Sequence, residues 1–490
     1  MAYFRKIFTL CFLAGLASSL QDRGQNLRSC LEAALQTDTA RVRFSSDPEY
    51  AIRNLNPFNL NLQYNASAVV YPNSTEEIVD IVSCAGKYGR KVQARGGGRD
   101  FINRCLGGAD DAIVVDMVNF DKREIDKETG VAVFGSGLLL KDVARFLHEN
   151  GGRYFPHGAS PTVGIGGHIM VGGMGYSSRK NGLSIDAVRE IEVVLADGTV
   201  TQASRSKDPD LFWAMRGAGA SFGIATQYTF QTMPEPATVL SYVFNFTSND
   251  PAVLKKAVKA YHKIVQDPNL SRNMGGTTRL SRNSFLFDGA FFGTEEEFNS
   301  MRLESRLPNT TSTIITANLS WIDYSEDVFS HAGKTNSPAH FYTQDMGVSR
   351  HNVPSDASLD AWLDYIFSAD SDSATWSFQF DLTGGKTNEL DSDATAFPHR
   401  DSIYFMTAYA SSNGETSDKT IKFINEAVLR LQGNKPDEYL SYVGVASLAH
   451  GKNAQKRYWG TNLPRLEKIK AQVDPDDIFS TPQYVKPASL

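Results

Sequence analysis

Between residues 61 and 235 the chain is a succession of short apolar runs separated by turn residues. The runs 67–71, 91–94, 112–116 and 131–134 have the length and composition of strands. Residues 139–150 place apolar side chains at helical spacing. Residues 191–195 read as a strand, Asp197-Gly198 as a hairpin turn, and 199–203 as the returning strand. A further strand, 223–233, closes the segment.

The texture changes at Pro234-Glu235-Pro236. Residues 251–265 and 420–431 are amphipathic helices, whereas 240–246 and 376–382 alternate like half-buried strands. The pattern predicts a second domain over 236–452, an antiparallel sheet with helices on one face. From 453 to 490 the pattern tightens again. The fold class is therefore α+β, without internal repeats.

The length of 490 residues exceeds what one core fills, which agrees with at least two domains. A net charge of −6 argues against a nucleic-acid partner, which needs clustered Lys and Arg. Residues 1–20 read as a secretory signal: Arg5 and Lys6, then an apolar run too short to span a bilayer, then small residues. No later segment is apolar for long enough to be a transmembrane helix. Sequons begin at Asn65, Asn73, Asn245, Asn269, Asn309 and Asn318, as expected of a secreted glycoprotein. With Cys11 in the signal, Cys30, Cys84 and Cys105 remain for an oxidising compartment. Cys30 and Cys84 each lie in an amphipathic stretch, the latter opened by a Ser74/Glu77 capping box. A Cys30–Cys84 disulfide joining two helices is expected, leaving Cys105 as a buried thiol.

No Gly-X-Gly-X-X-Gly follows a strand, and there is no Walker loop, His-Glu-X-X-His or Cys-X-X-Cys. Rossmann binding, ATP hydrolysis and the common zinc chemistries lack support. Three glycine clusters remain. Arg95-Gly96-Gly97-Gly98-Arg99-Asp100 follows a strand, and its N–H groups can converge on an anion. Pro161-Thr162-Val163-Gly164-Ile165-Gly166-Gly167-His168 is followed by Gly172-Gly173-Met174-Gly175, where missing side chains leave backbone for a flat ligand. Arg216-Gly217-Ala218-Gly219 precedes Ser221-Phe222-Gly223-Ile224.

These clusters, with Phe155-Pro156-His157-Gly158, Gly182-Leu183-Ser184-Ile185-Asp186, Leu195-Ala196-Asp197-Gly198, Asp210-Leu211-Phe212-Trp213, Phe397-Pro398-His399-Arg400 and Tyr458-Trp459-Gly460-Thr461-Asn462-Leu463, stand in a recognisable order. The chain resembles the FAD-linked oxidoreductases of the vanillyl-alcohol-oxidase/p-cresol-methylhydroxylase (PCMH) superfamily, in the branch of berberine-bridge enzyme and glucooligosaccharide oxidase. The resemblance implies a two-part PCMH-type FAD-binding domain over 61–235, a substrate domain over 236–452 and a C-terminal segment that returns to the first. It implies FAD held by Arg95, Gly96, Gly97, Gly98, Arg99, Asp100, Pro161, Thr162, Val163, Gly166, Gly167, His168, Gly172, Gly173, Gly175, Gly223, Ile224, Tyr458 and Asn462, with the pyrophosphate on the first loop. It also implies hydride transfer from a small-molecule substrate to flavin, a proton taken by a nearby base, and dioxygen as acceptor, giving hydrogen peroxide.

The chain departs from the family pattern at four points. Arg99 stands where relatives carry a flavin-linking His, and Ser160 where some carry a linking Cys, so FAD is expected to be non-covalent. Phe101 replaces a Tyr. The strand after Phe397-Pro398-His399-Arg400 has no carboxylate, which leaves Tyr458 and then Tyr404 as candidate catalytic residues. These losses favour oxidation of a small, apolar secondary metabolite. Oligosaccharide oxidation is the alternative, with Trp321, Trp362 and Trp376 available for sugar stacking, and a flavin-free ligand-binding glycoprotein is the reading from another class.

Overall fold

The computed structural model describes residues 26–48, 50, 55–335 and 337–489. The secretory signal expected at 1–20 lies outside them. The first sheet joins β1 (Val42–Phe44), β2 (Ala68–Val70), β3 (Val92–Arg95) and β4 (Ile113–Asp116) in the order β1-β2-β4-β3. Its inner pairs are parallel, and the helix Thr75–Tyr88 supplies the β2–β3 crossover. Ser74 caps that helix by accepting from the Glu77 N–H. Glu77 reaches back to the N–H of Asn73 rather than of Ser74, and also pairs with Arg41, so the capping box closes one residue early. The disulfide Cys30–Cys84 is present, with Cα atoms 6.0 Å apart.

The second sheet is antiparallel and runs β5-β6-β10-β8-β9. Its strands are β5 (Arg123–Ile125), β6 (Val131–Gly135), β8 (Val188–Val194), β9 (Val200–Ser204) and β10 (Ile224–Gln231). The Asp197-Gly198 turn makes the β8–β9 hairpin, with Gly198 at φ 84°. The short strands β7 (Arg153–Tyr154) and β11 (Met233–Pro234) pair beside it.

A seven-stranded antiparallel sheet then follows in the order β15-β12-β14-β13-β17-β18-β16. Its strands are β12 (Val239–Thr247), β13 (Met274–Ser281), β14 (Ser284–Phe291), β15 (Ser312–Leu319), β16 (His340–Ser349), β17 (Thr375–Leu382) and β18 (Ser402–Ser412). Strict alternation sorts its two faces, because successive side chains point opposite ways. In β17, Trp376, Phe378, Phe380 and Leu382 enter a core with the helices Pro251–Val265, Asp356–Ser368 and Asp418–Gln432, while Thr375, Ser377, Gln379 and Asp381 line the other face.

Buried polar contacts fix this sheet to the glycine-rich part. Arg179 is buried and donates to the carbonyls of Met274, Thr383, Leu270 and Ser271. Arg400 clasps Asp186 in two bonds of 2.8 and 2.9 Å. Such a buried, bidentate pair is costly to break from one side. The C-terminal helix Leu463–Val473 returns to the glycine-rich part through Lys470, fully buried, whose ammonium donates to Asp474 and to the carbonyls of Ser221 and Phe479.

Candidate active site

A cavity of about 1320 Å³ runs from the glycine loops to the polar face of the seven-stranded sheet. A pocket for one drug-sized ligand is roughly 300–1,000 Å³, so the space accommodates a long ligand and a second molecule.

Its first half is walled by backbone. Gly96, Gly97, Gly98, Arg99 and Asp100 line it beside Val163, Gly166, Gly167, His168, Gly175, Gly223 and Ile224. The two principal loops touch through their main chains. A Cβ on Gly97 would lie 2.4 Å from the Gly164 nitrogen, and one on Gly164 would lie 2.3 Å from the Gly97 nitrogen. A Cβ on Gly167 would meet nothing within 4 Å beyond its chain neighbours and the backbone of its own helix and would project into open space. Three buried polar atoms of residues around the cleft, Gln93 Nε2, Arg104 Nη1 and Ser136 Oγ, have no partner among the described residues. Buried donors are normally satisfied, so a ligand rich in acceptors fits this half, and FAD is such a ligand. Arg104 is otherwise tied to Asp100 and to the Val443 carbonyl.

The second half is built by strand register. Asp288 on β14, Thr277 on β13 and Asp381 on β17 form one cross-strand row. The next row holds Leu286, Arg279, Gln379 and Thr407, and Tyr409 follows beyond Thr407 on β18. Asp381 accepts from Thr277 Oγ1 at 2.7 Å and from Gln379 Nε2 at 3.0 and 3.1 Å. The Gln379 carbonyl in turn accepts from Arg279 at 3.3 Å. Burial pushes both carboxyls up, Asp288 to about 7, while the Arg279 cation pulls each down. Tyr409 lines the cavity, stacked on Phe341 at 5.2 Å.

Several residues expected at the site are elsewhere. Tyr404 projects from the opposite face of β18 into the helix-covered core, against Phe380 and His262, because it is one residue out of phase with Phe405 and Thr407. Tyr458 is fully buried; its hydroxyl donates to Gln483 and accepts from the Ser447 N–H, and it does not line the cavity. Neither is placed to take a substrate proton. Arg95 pairs with Asp116 beneath the loop. Thr162 accepts from Arg99 Nε at 3.1 Å and, like Pro161, stands behind the wall. Gly172 and Gly173, at φ 122° and 74°, pack on Phe397 and Ser184. Asn462 donates to the carbonyls of Ser392, Thr395 and Ala396, securing the loop before Phe397.

His168 lines the cavity, and its Nε2 accepts from the Gly158 N–H at 3.0 Å; burial drives its pKa to about 3, which keeps it neutral for that bond. Cys105 is a free thiol at the cavity edge, pushed up to about 12 by burial. Of the three tryptophans expected to stack a sugar, Trp362 and Trp321 lie in cores, and Trp376 packs mainly among the helices, reaching the cavity only at its margin. Asp381, Asp288, Gln379 and Arg279 were missed from the sequence, although the alternation over 376–382 already set Gln379 and Asp381 on a face of their own.

A glycine-walled cleft opening onto a polar sheet face that carries a hydrogen-bonded carboxylate defines a flavin-dependent oxidoreductase. The FAD binding domain family matches residues 66–204, and the berberine and berberine-like family matches 422–486. The chain belongs to the FAD-linked oxidoreductases, in the branch of berberine-bridge enzyme and the oligosaccharide oxidases, and it binds FAD. It is 31% identical to the FAD-linked oxidoreductase sorD of Penicillium rubens, over 94% of this chain and 98% of that one. It is 30% identical to a carbohydrate oxidase of Microdochium nivale, over 98% and 99%. Xylooligosaccharide oxidase from Myceliophthora thermophila, solved in complex with xylobiose, superposes with a TM-score of 0.86 at 27% identity, covering 95% of this chain and 100% of that one.

Proposed function

We propose that this flavoenzyme oxidises an alcohol or hemiacetal carbon of a hydroxyl-rich small molecule, with Asp381 as the proton acceptor. One observation carries the reading: Asp381 sits on the cavity face with three hydrogen bonds fixing its oxygens, flanked by Thr277, Gln379 and Thr407. A face of hydroxyls, amide and carboxylate suits a polyol better than an apolar metabolite, whose burial there would leave these groups unpaired. Tyr409, stacked on Phe341, supplies an aromatic surface on the cavity wall.

Bound flavin supplies the hydride acceptor, with dioxygen as the terminal oxidant. Asp381, raised by burial, is a stronger base than a solvated carboxylate and takes the hydroxyl proton as the carbon yields its hydride. Thr277 and Gln379 hold the carboxylate in position and offset its charge. Arg99 supports non-covalent FAD: it is fastened to Thr162 and stands over the Phe58 ring at 5.2 Å. The Cys105 thiol is too strongly held in its protonated form to serve as the alternative link. The division into 61–235, 236–452 and 453–490 follows the two pattern changes along the chain. The disulfide, the sequons and the apolar N-terminus favour a secreted protein.

The test is acid precipitation of the purified protein followed by a peroxide-coupled assay over mono- and oligosaccharides and over apolar alcohols. Yellow supernatant and peroxide with sugars support the proposal. Flavin in the pellet sinks the reading of Arg99, and peroxide with apolar alcohols alone sinks the substrate class.

A further inference from the structure

The outer strand of the seven-stranded sheet is an open edge. Among the described residues β15 pairs with no strand but β12. The stretch 309–320 reads Asn-Thr-Thr-Ser-Thr-Ile-Ile-Thr-Ala-Asn-Leu-Ser, with no charged residue and no proline. Ile314, in its middle, is 58% exposed. A β-branched, uncharged edge of this length is a template for pairing with another chain, and proteins usually blunt such edges with Lys, Pro or a cover. The opposite edge has a cover: β16 is met by Leu440, Tyr442, Ser447 and Asn61. Among the described residues β15 has neither device.

It has instead a sequon at each end. Asn309-Thr310-Thr311 precedes the strand and Asn318-Leu319-Ser320 ends it, and both asparagines are exposed. Asn318 lies at φ 60°, at the bulge in β15 after which Leu319 still pairs with Val239. We propose that N-linked glycans on Asn309 and Asn318 guard this edge, doing sterically what a lysine would do by charge. A glycan is bulky and strongly hydrated, so one at each end denies a second strand the full register along β15. The proposal is independent of the catalytic reading.

The chain is secreted from a fungal host, and tryptic glycopeptides are mapped by mass spectrometry. Both asparagines are expected to be occupied; an unmodified Asn309 or Asn318 overturns the proposal. The pair Asn309→Gln and Asn318→Gly, the glycine keeping the left-handed backbone, is then compared with wild type by size-exclusion light scattering. Mass is expected to shift from the wild-type peak into larger species, and adding Ile314→Lys is expected to restore it. Trimming the folded wild-type protein with an endoglycosidase that leaves one sugar should reproduce the shift without any question of folding. An unchanged profile after trimming, or no rescue by Ile314→Lys, refutes the guarding role.

Discussion

Gly97, on a loop, and Gly167, in the helix Ile165–Met170, line the same cleft, yet their replacement by alanine has opposite expected consequences. At Gly97 the new methyl lies 2.4 Å from both the Gly164 nitrogen and the Thr162 carbonyl oxygen, neither of which can swing aside. The loops must part by about an ångström, and overpacking of this kind costs about 1–3 kcal/mol of stability. At Gly167 the methyl meets nothing within 4 Å beyond its chain neighbours and its own helix backbone, and it sits in the helix Ile165–Met170, where alanine is favoured over glycine by up to about 1 kcal/mol. The apoprotein of Gly167→Ala therefore melts at or above the wild-type temperature, while that of Gly97→Ala melts below it. The Gly167 methyl occupies flavin space instead; if the clash costs about 1–3 kcal/mol, the FAD Kd rises roughly 5- to 150-fold. The assay is deflavination, calorimetry of the apoproteins, and FAD titration by fluorescence quenching. Wild-type FAD affinity in Gly167→Ala would refute the placement of flavin against this helix.

Four further outcomes are expected. Asp381→Asn lowers the anaerobic flavin-reduction rate by about 10²–10⁴-fold with FAD retained, and a loss under fivefold removes it as the base. Arg279→Ala, which deletes a cation that lowers Asp381, moves the acidic limb of kcat/KM to higher pH, whereas Arg279→Lys largely keeps it in place; an unmoved limb breaks the Arg279–Gln379–Asp381 chain. Asp288 titrates near 7 in the fold, above its ordinary value, so stability present in acid is lost as pH rises through that value; thermal melts of Asp288→Asn should lose this slope. Replacing Cys30 and Cys84 by alanine, across a separation of 54 residues, costs about 4 kcal/mol by loop entropy, to be read from denaturant midpoints.

Local pattern carried much of this structure. The strands at 67–71, 131–134 and 376–382, the helix 251–265 and the Asp197-Gly198 hairpin depend on neighbours in sequence, and they stand where alternation and spacing put them. The glycine clusters were legible because only backbone walls explain so many. The proposed base was not, because its neighbourhood is made by register between strands distant in sequence: Thr277 and Asp381 are separated by over a hundred residues. Attention to the strand after Phe397-Pro398-His399-Arg400 led to Tyr404, one residue out of phase with the cavity. Tyr458 and Asn462 were legible as motif members, but their role is to fasten the returning segment, a distinction that only their bonding partners reveal.

The two-sided sheet has a bearing on how such enzymes diverge. Phe378 and Phe380 sit in the core, while the alternating Ser377, Gln379 and Asp381 face the cavity. Mutation can rewrite the alternate positions one at a time, each step tested chiefly against a new molecule while the apolar core on the other face stays intact. A lineage built this way can exchange its chemistry of recognition while its backbone stays superposable, so that shape outlasts sequence by a wide margin.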